Sequence, residues 1–244
     1  MPRMPENPDF TLDQLTGRSR EHLTELSDPR CSLHKEAAVP FLAMRAAAAV
    51  DGIDLVAFSS FRDFERQLTI WNEKFRGLRP MQDRLGRALN VGALSPAERV
   101  GAILWWSALP GTSRHHWGTD FDVMDLATLP AGYRVQVTPA EYQAGGPFHR
   151  LTNWLDRHMH AFGFYRPYAT DRGGVSPEPW HLSYAPVALR AERALSVTGL
   201  RGVLAASEIE GKDEVLALLD ANFQRYVVDV DRPPEAALMS PRLA

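Results

Sequence analysis

The chain has 244 residues, 45% hydrophobic and 23% charged, with 27 basic against 30 acidic side chains and a formal net charge of -3. That length can bury a sizeable core in one domain, the composition is that of a soluble globular protein, and no basic excess or Lys/Arg block points to nucleic acid or an anionic membrane as partner. A single cysteine, Cys31, excludes an internal disulfide and, with no nucleophile signature around it, reads as a small packed side chain.

The opening stretch MPRMPENPDF has neither an apolar h-region nor a small-residue cleavage site, so no signal peptide is read and the expected location is cytoplasmic. The longest apolar runs, Ala46–Val50 and Ile103–Trp106, are too short to span a bilayer. Thr11 and Gln14 have capping-box spacing for a short helix. From His34 to Val50 the residues favour helix apart from Pro40, and Asp51-Gly52 stops it. The apolar run DLVAFSSFR reads as a buried strand ending at Arg62, and Asp63–Phe75 as an amphipathic helix. Residues 76–95 read as a loop, after which Ser95-Pro96-Ala97-Glu98 starts a helix expected to reach Ala108. Beyond the segment TSRHHWGTDFDVMD and a Pro/Gly-containing loop, Pro147–Phe162 reads as helix. GFYRPYA and PWHLSYA read as strands joined by a loop, and two helix-like segments follow, about 185–207 and 212–226. Helices around a few short strands predict an α+β fold. The expected organisation is one domain over 1–244, with a core at about 34–190 and a C-terminal helical extension at about 191–244.

Two of these segments carry metal chemistry. Hydrolytic zinc sites use three ligands from His, Asp and Glu and leave one position for water, with a free carboxylate nearby as general base. His115 and Asp122 supply two ligands from one segment. Glu178-Pro179-Trp180-His181 supplies a histidine and, three residues earlier, an acid. Positions three apart on a strand face opposite sides, so Glu178 is expected in a bend before the strand, favoured by Pro177 and Pro179.

Ser113-Arg114-His115-His116-Trp117-Gly118-Thr119-Asp120-Phe121-Asp122 resembles the S-x-H-x-x-G-x-A-x-D motif of the D-alanyl-D-alanine carboxypeptidase and dipeptidase family, the VanY/VanX-like zinc peptidases. Glu178-Pro179-Trp180-His181 resembles that family's E-x-W-H, in the right order. Ser60-Phe61-Arg62 with Gln67 is similar to its upstream S-x-R-x-x-x-x-Q stretch. The resemblance covers about residues 55–185. It implies Zn2+ held by His115, Asp122 and His181, Glu178 as base, Arg62 as the electrophilic group, and Ser113 touching substrate or bracing the metal loop. It also implies a small antiparallel sheet flanked by helices, shared with hedgehog signalling domains, and a substrate that is a peptidoglycan peptide or precursor ending in D-alanine. One position departs from the motif: Asp120 stands where the family keeps a small Ala. Asp120 and Asp122 share one strand face, so Asp120 is expected near the metal, as a competing ligand or a partner for a substrate ammonium, with Asp122 favoured as ligand by its spacing.

Other residues invite plainer readings. His116 reads as structural, Trp117 and Trp180 as walls of the site, and Asp125 as an anchor for the strand end. His158 and His160 form an H-x-H pattern in a helical stretch, where a two-residue step points the rings apart. Asp171-Arg172-Gly173-Gly174 reads as a turn. Two other functions stay open at this level: a non-catalytic zinc-binding interaction domain, which Glu178 argues against, and an endolysin-type L-Ala–D-Glu endopeptidase.

Overall fold

The computed structural model describes residues 10–239. Thr11 opens α1 (Leu12–Leu15) through the expected capping box with Gln14. Next comes a hairpin that periodicity does not foretell, because LTELS lacks a clean two-residue alternation: β1 (Leu23–Ser27) pairs antiparallel with β2 (Arg30–His34). The helix α2 (Lys35–Val50) runs through Pro40 and buries the stripe Ala37, Phe41, Met44 and Ala48. Burial of that face outweighs the one backbone hydrogen bond that Pro40 gives up.

β3 (Leu55–Ser59) and α3 (Phe64–Phe75) follow as expected, with Asp63 capping α3. Ser95 and Glu98 form the capping box of α4 (Pro96–Leu104). This helix stops four residues short of the expected Ala108, and Trp105–Ser107 continue as a turn. Then come β4 (Asp120–Asp125), α5 (Pro139–Tyr142), α6 (His149–His158), β5 (Phe164–Tyr165) and β6 (His181–Tyr184). The helix expected over 185–207 is two, α7 (Ala185–Ala194) and α8 (Val197–Ala205). Ser196 breaks the run and its side chain caps Gly199 N–H. The remaining helices are α9 (Lys212–Ala217), α10 (Leu219–Phe223) and α11 (Glu235–Leu238). Among the described residues no helix is long and apolar enough to cross a membrane.

The main sheet has the antiparallel order β3-β4-β6-β5. Register places Asp122 opposite His181 and Asp120 opposite Ser183, so these four share one face. Phe121 and Leu182 share the other, fully buried, where Phe121 meets Phe41 and Phe164 at ring distances of 4.9 and 5.3 Å. One face of β4 thus anchors the core beneath α2, α6 and α7, and its opposite face is left for polar chemistry. A second apolar cluster joins α3 and α4 to α8, α9 and α10, through Phe64, Trp71, Ile103, Leu200, Leu204 and Leu219 among others. The fold is the small antiparallel sheet flanked by helices that the sequence predicts, with an added hairpin.

Candidate metal centre

His115, Asp122 and His181 each offer a ligand atom, all within 4.8 Å of one another. His115 sits in the 3₁₀ turn Arg114–Trp117, which Gly118 terminates at φ +67. A Cβ on Gly118 would come within 2.8 Å of the backbone nitrogen of His34, whose N–H donates to the Gly118 carbonyl at 2.7 Å. The hairpin therefore clamps the turn that holds His115. Asp122 lies mid-strand between its neighbours Ser59 and His181.

Second contacts orient each ring. His115 Nδ1 donates to the Ser60 carbonyl at 2.9 Å, which leaves Nε2 free, 3.5 Å from Asp122 Oδ2. His181 Nε2 lies 3.1 Å from Asp120 Oδ1, which leaves Nδ1 facing Asp122 Oδ1 at 3.2 Å. Ligand bonds of about 2.1 Å in a tetrahedron put donor atoms roughly 3.4 Å apart, so the donor set and its spacing fit a zinc ion. Such outer contacts to ligating histidines fix the tautomer and raise ligand basicity.

Asp120 lies on the face expected of it, against His181, but without access to the cleft. It is fully buried and contacts no open space. Oδ1 takes the Arg114 Nε–H at 2.8 Å as well as facing His181, and Oδ2 accepts from Thr119 Oγ at 2.5 Å. Both of its oxygens are occupied, so the substrate-ammonium role fails for lack of access, and Asp120 belongs behind His181 instead. Arg114 completes this buried layer: it also donates to Ser183 Oγ at 2.9 Å and Tyr165 Oη at 3.1 Å and lies 3.3 Å from Glu192. Sequence reading passed over Arg114, although its place beside His115 and the extra acid at 120 together signal a buried pair.

Glu178 sits before β6, as expected, with Oε2 3.5 Å from His181 Nδ1. Burial raises its carboxyl to about 7, against the pull of His181. Burial likewise opposes charge on His181, but the Asp120 and Asp122 carboxylates overcome it and raise the imidazole to about 9. Both aspartates are held below the carboxylate range, despite burial, by Arg114 and the histidines. His116 is structural as read: Nδ1 donates to the Arg62 carbonyl at 2.6 Å and Nε2 accepts from Gly111 N–H at 3.1 Å, a neutral ring that burial lowers to about 3.

Arg62 reaches the same place. Its guanidinium donates to Gln67 Oε1 at 2.9 Å and Ser59 Oγ at 3.2 Å, and Gln67 is itself fixed on the Ala108 carbonyl. Arg62, Ser113, His115, Asp122, Glu178, Trp180 and His181 all line one cleft of about 730 Å³. Tyr168, unnoticed in the sequence, covers His181 at a ring distance of 5.0 Å and lines it too. His158 and His160 lie elsewhere, the first against Trp154 and the second on the Phe164 carbonyl. Asp125 accepts from Asp54 N–H at 2.9 Å, the anchor expected of it.

Residues 30–187 match the VanY family, described as D-alanyl-D-alanine carboxypeptidase. The chain belongs to that family. A D-alanyl-D-alanine carboxypeptidase of Enterococcus faecalis is 28% identical over 144 residues, 58% of this chain and 44% of that protein. An uncharacterized protein of Haemophilus influenzae is 46% identical over 103 residues, 41% of this chain and 70% of its own length. Among solved structures, VanYB in complex with D-Alanine-D-Alanine shares the fold at a TM-score of 0.50 and 23% identity, covering 76% of this chain and 89% of that one. Membership in the VanY family makes the chain a peptidase of the kind that hydrolyses peptidoglycan peptides.

Proposed function

We propose that the chain is a zinc carboxypeptidase that releases a C-terminal D-alanine from peptidoglycan-type peptides. The observation that carries the reading is Glu178, a largely enclosed carboxyl 3.5 Å from the donor atom of His181 that lines an open cleft. A purely structural metal site has no use for a free base at that place.

His115, Asp122 and His181 would hold the metal. A zinc ion there supplies acidification of a bound water and polarisation of the scissile carbonyl. Glu178 takes a proton from the attacking water and returns it to the leaving amine nitrogen as the C–N bond breaks. Burial keeps its carboxyl above the ordinary carboxylate range, which favours carrying the proton from water to amine. Arg62, immobilised by Gln67 and Ser59, aims N–H groups at the carbonyl oxygen where negative charge develops. Trp180, packed on Tyr142, forms an apolar wall, and Ser113 lines the cleft beside His115.

The test is direct. Purified zinc-loaded protein is incubated with UDP-muramoyl-pentapeptide and with free D-Ala-D-Ala, with and without a chelator, and products are identified by mass. Release of one D-alanine from the pentapeptide, abolished by chelation, is the expected result. Release from the dipeptide alone would make it a dipeptidase, and release of no amino acid from a panel of wall peptides would overturn the reading.

A further inference from the structure

The cleft holds a lysine, Lys74, that the reaction above does not use. Gln67, Ile70, Trp71 and Lys74 lie on one side of α3 at helical spacing. Gln67 anchors Arg62, while Ile70 and Lys74 line the cleft together with Arg62 and Glu178. The Lys74 ammonium donates to Ser107 Oγ at 2.6 Å, from the turn that ends α4 early. An ammonium has three N–H donors, and among the described residues Lys74 has no carboxylate within ion-pair distance.

The other basic side chains of the cleft are committed. Arg79 pairs with Glu73, Arg114 with Asp120 and Glu192, and Arg62, held by Gln67 and Ser59, is the group already assigned to the carbonyl oxygen. Lys74 is half-buried and burial lowers its ammonium to about 8, with Glu178 and Arg62 close enough to act on its charge. Keeping an unpaired charge in such a place costs stability unless a ligand anion completes it.

Resting on the peptidase reading, we propose that Lys74, steadied by Ser107, is the anion subsite of the cleft and receives a carboxylate of the bound peptide. The carboxylate of first choice is the C-terminal one of the leaving residue, because a carboxypeptidase must recognise the free end of its substrate. A side-chain carboxylate next to the scissile bond has the same chemistry and is the other source. Charge-assisted hydrogen bonds of this kind are worth about 1.5–3 kcal/mol, which corresponds to a loss of roughly 10- to 150-fold in affinity on removal.

The experiment measures binding so that it does not depend on turnover. Zinc-loaded Glu178→Ala protein, with Lys74 or with Lys74→Met, is titrated calorimetrically with two peptide pairs. The first pair is acetyl-D-Ala-D-Ala and its C-terminal amide. The second differs only in glutamate against glutamine before the scissile bond. Lys74→Met is expected to weaken the free acid at least tenfold, to leave the amide within twofold, and Lys74→Arg to restore part of the difference. Loss of the glutamate preference instead would assign the side-chain carboxylate. No binding of any of the four peptides by the Lys74 protein, or an equal change for acid and amide with the glutamate preference also unchanged, overturns the proposal. Failure of the wild type to release any amino acid from wall peptides would overturn the peptidase reading and leaves this binding difference to be judged by itself.

Discussion

Replacing Glu178 by Gln keeps the shape of the cleft and removes its base. Turnover is expected to fall by about 10²–10⁴-fold with zinc content unchanged, as measured by metal analysis beside steady-state kinetics. Loss of zinc in this variant would make Glu178 a ligand. His181 sets a pH dependence of its own. In the metal-free protein its imidazole keeps its proton up to about 9, against an ordinary 6.5, because Asp120 and Asp122 flank it. The ion pair therefore stabilises the metal-free fold fully below 6.5, and that contribution is lost as pH rises through 9. Zinc requires the neutral ring, so its affinity should climb about tenfold per pH unit from 6 to 9 and then level off. A chelator-competition series over that range checks the sign; a flat profile would sink it. Asp120→Asn should cost roughly 10–100-fold in zinc affinity, and unchanged affinity would show that Asp120 does not orient His181. At this scale the convergence of His115, Asp122, His181 and Glu178 on one cleft was legible, because motif spacing encodes it. Strand periodicity gives the face Asp120 points to but not what already stands there: the Arg114 guanidinium and Thr119 occupy its oxygens, which rules out the substrate-ammonium role.

Elements place these groups to within a hydrogen bond. Most starts and stops were readable from local chemistry: the capping boxes at Thr11 and Ser95, the cap at Asp63 and the stop at Asp51-Gly52 act through the nearest few residues. The hairpin β1–β2 was not readable, since its pairing gains from contacts far along the chain, such as the His34 N–H on the Gly118 carbonyl. Gly118 is the joint where hairpin and metal turn meet. Gly118→Ala asks an L side chain to adopt φ +67 and drives its Cβ against the His34 backbone. A loss of at least about 1–3 kcal/mol is expected, read by urea unfolding, together with weaker zinc binding through the displaced His115. An alanine variant as stable as the wild type would mean that the hairpin moves freely and does not clamp the turn.

The whole molecule ties its C-terminal helices to the cleft. The family match ends at residue 187, yet α8 to α10 share an apolar core with α3, the helix that carries Gln67 and Lys74. Trp71 Nε1 donates to the Glu210 carbonyl at 3.0 Å, and Asn72 exchanges hydrogen bonds with Glu208 and Glu210. We propose that residues 196–239 prop the cleft wall and form part of one cooperative domain. Leu204→Ala, at a fully buried position of that shared core, should cost about 2–5 kcal/mol in a single unfolding transition. Two separate transitions, with only the later one tied to zinc, would show that the C-terminal helices fold apart from the peptidase core.

The sequence alone determined the family and the α+β class and singled out His115, Asp122, His181 and Glu178 as the candidate metal and base residues. Each is encoded in residue identity at short spacing, and backbone chemistry translates short spacing reliably into turn, strand or helix. Tertiary structure alone decided what surrounds those residues. It put Arg114 and Thr119 on Asp120, brought Ser60 to the back of His115, seated Lys74 in the cleft beside Ser107 and laid the last helices against α3. Those contacts join positions from one to about 140 residues apart. Packing, not local preference, selects them, because burial of apolar surface is non-directional and leaves the polar partners to be settled by where each element comes to rest.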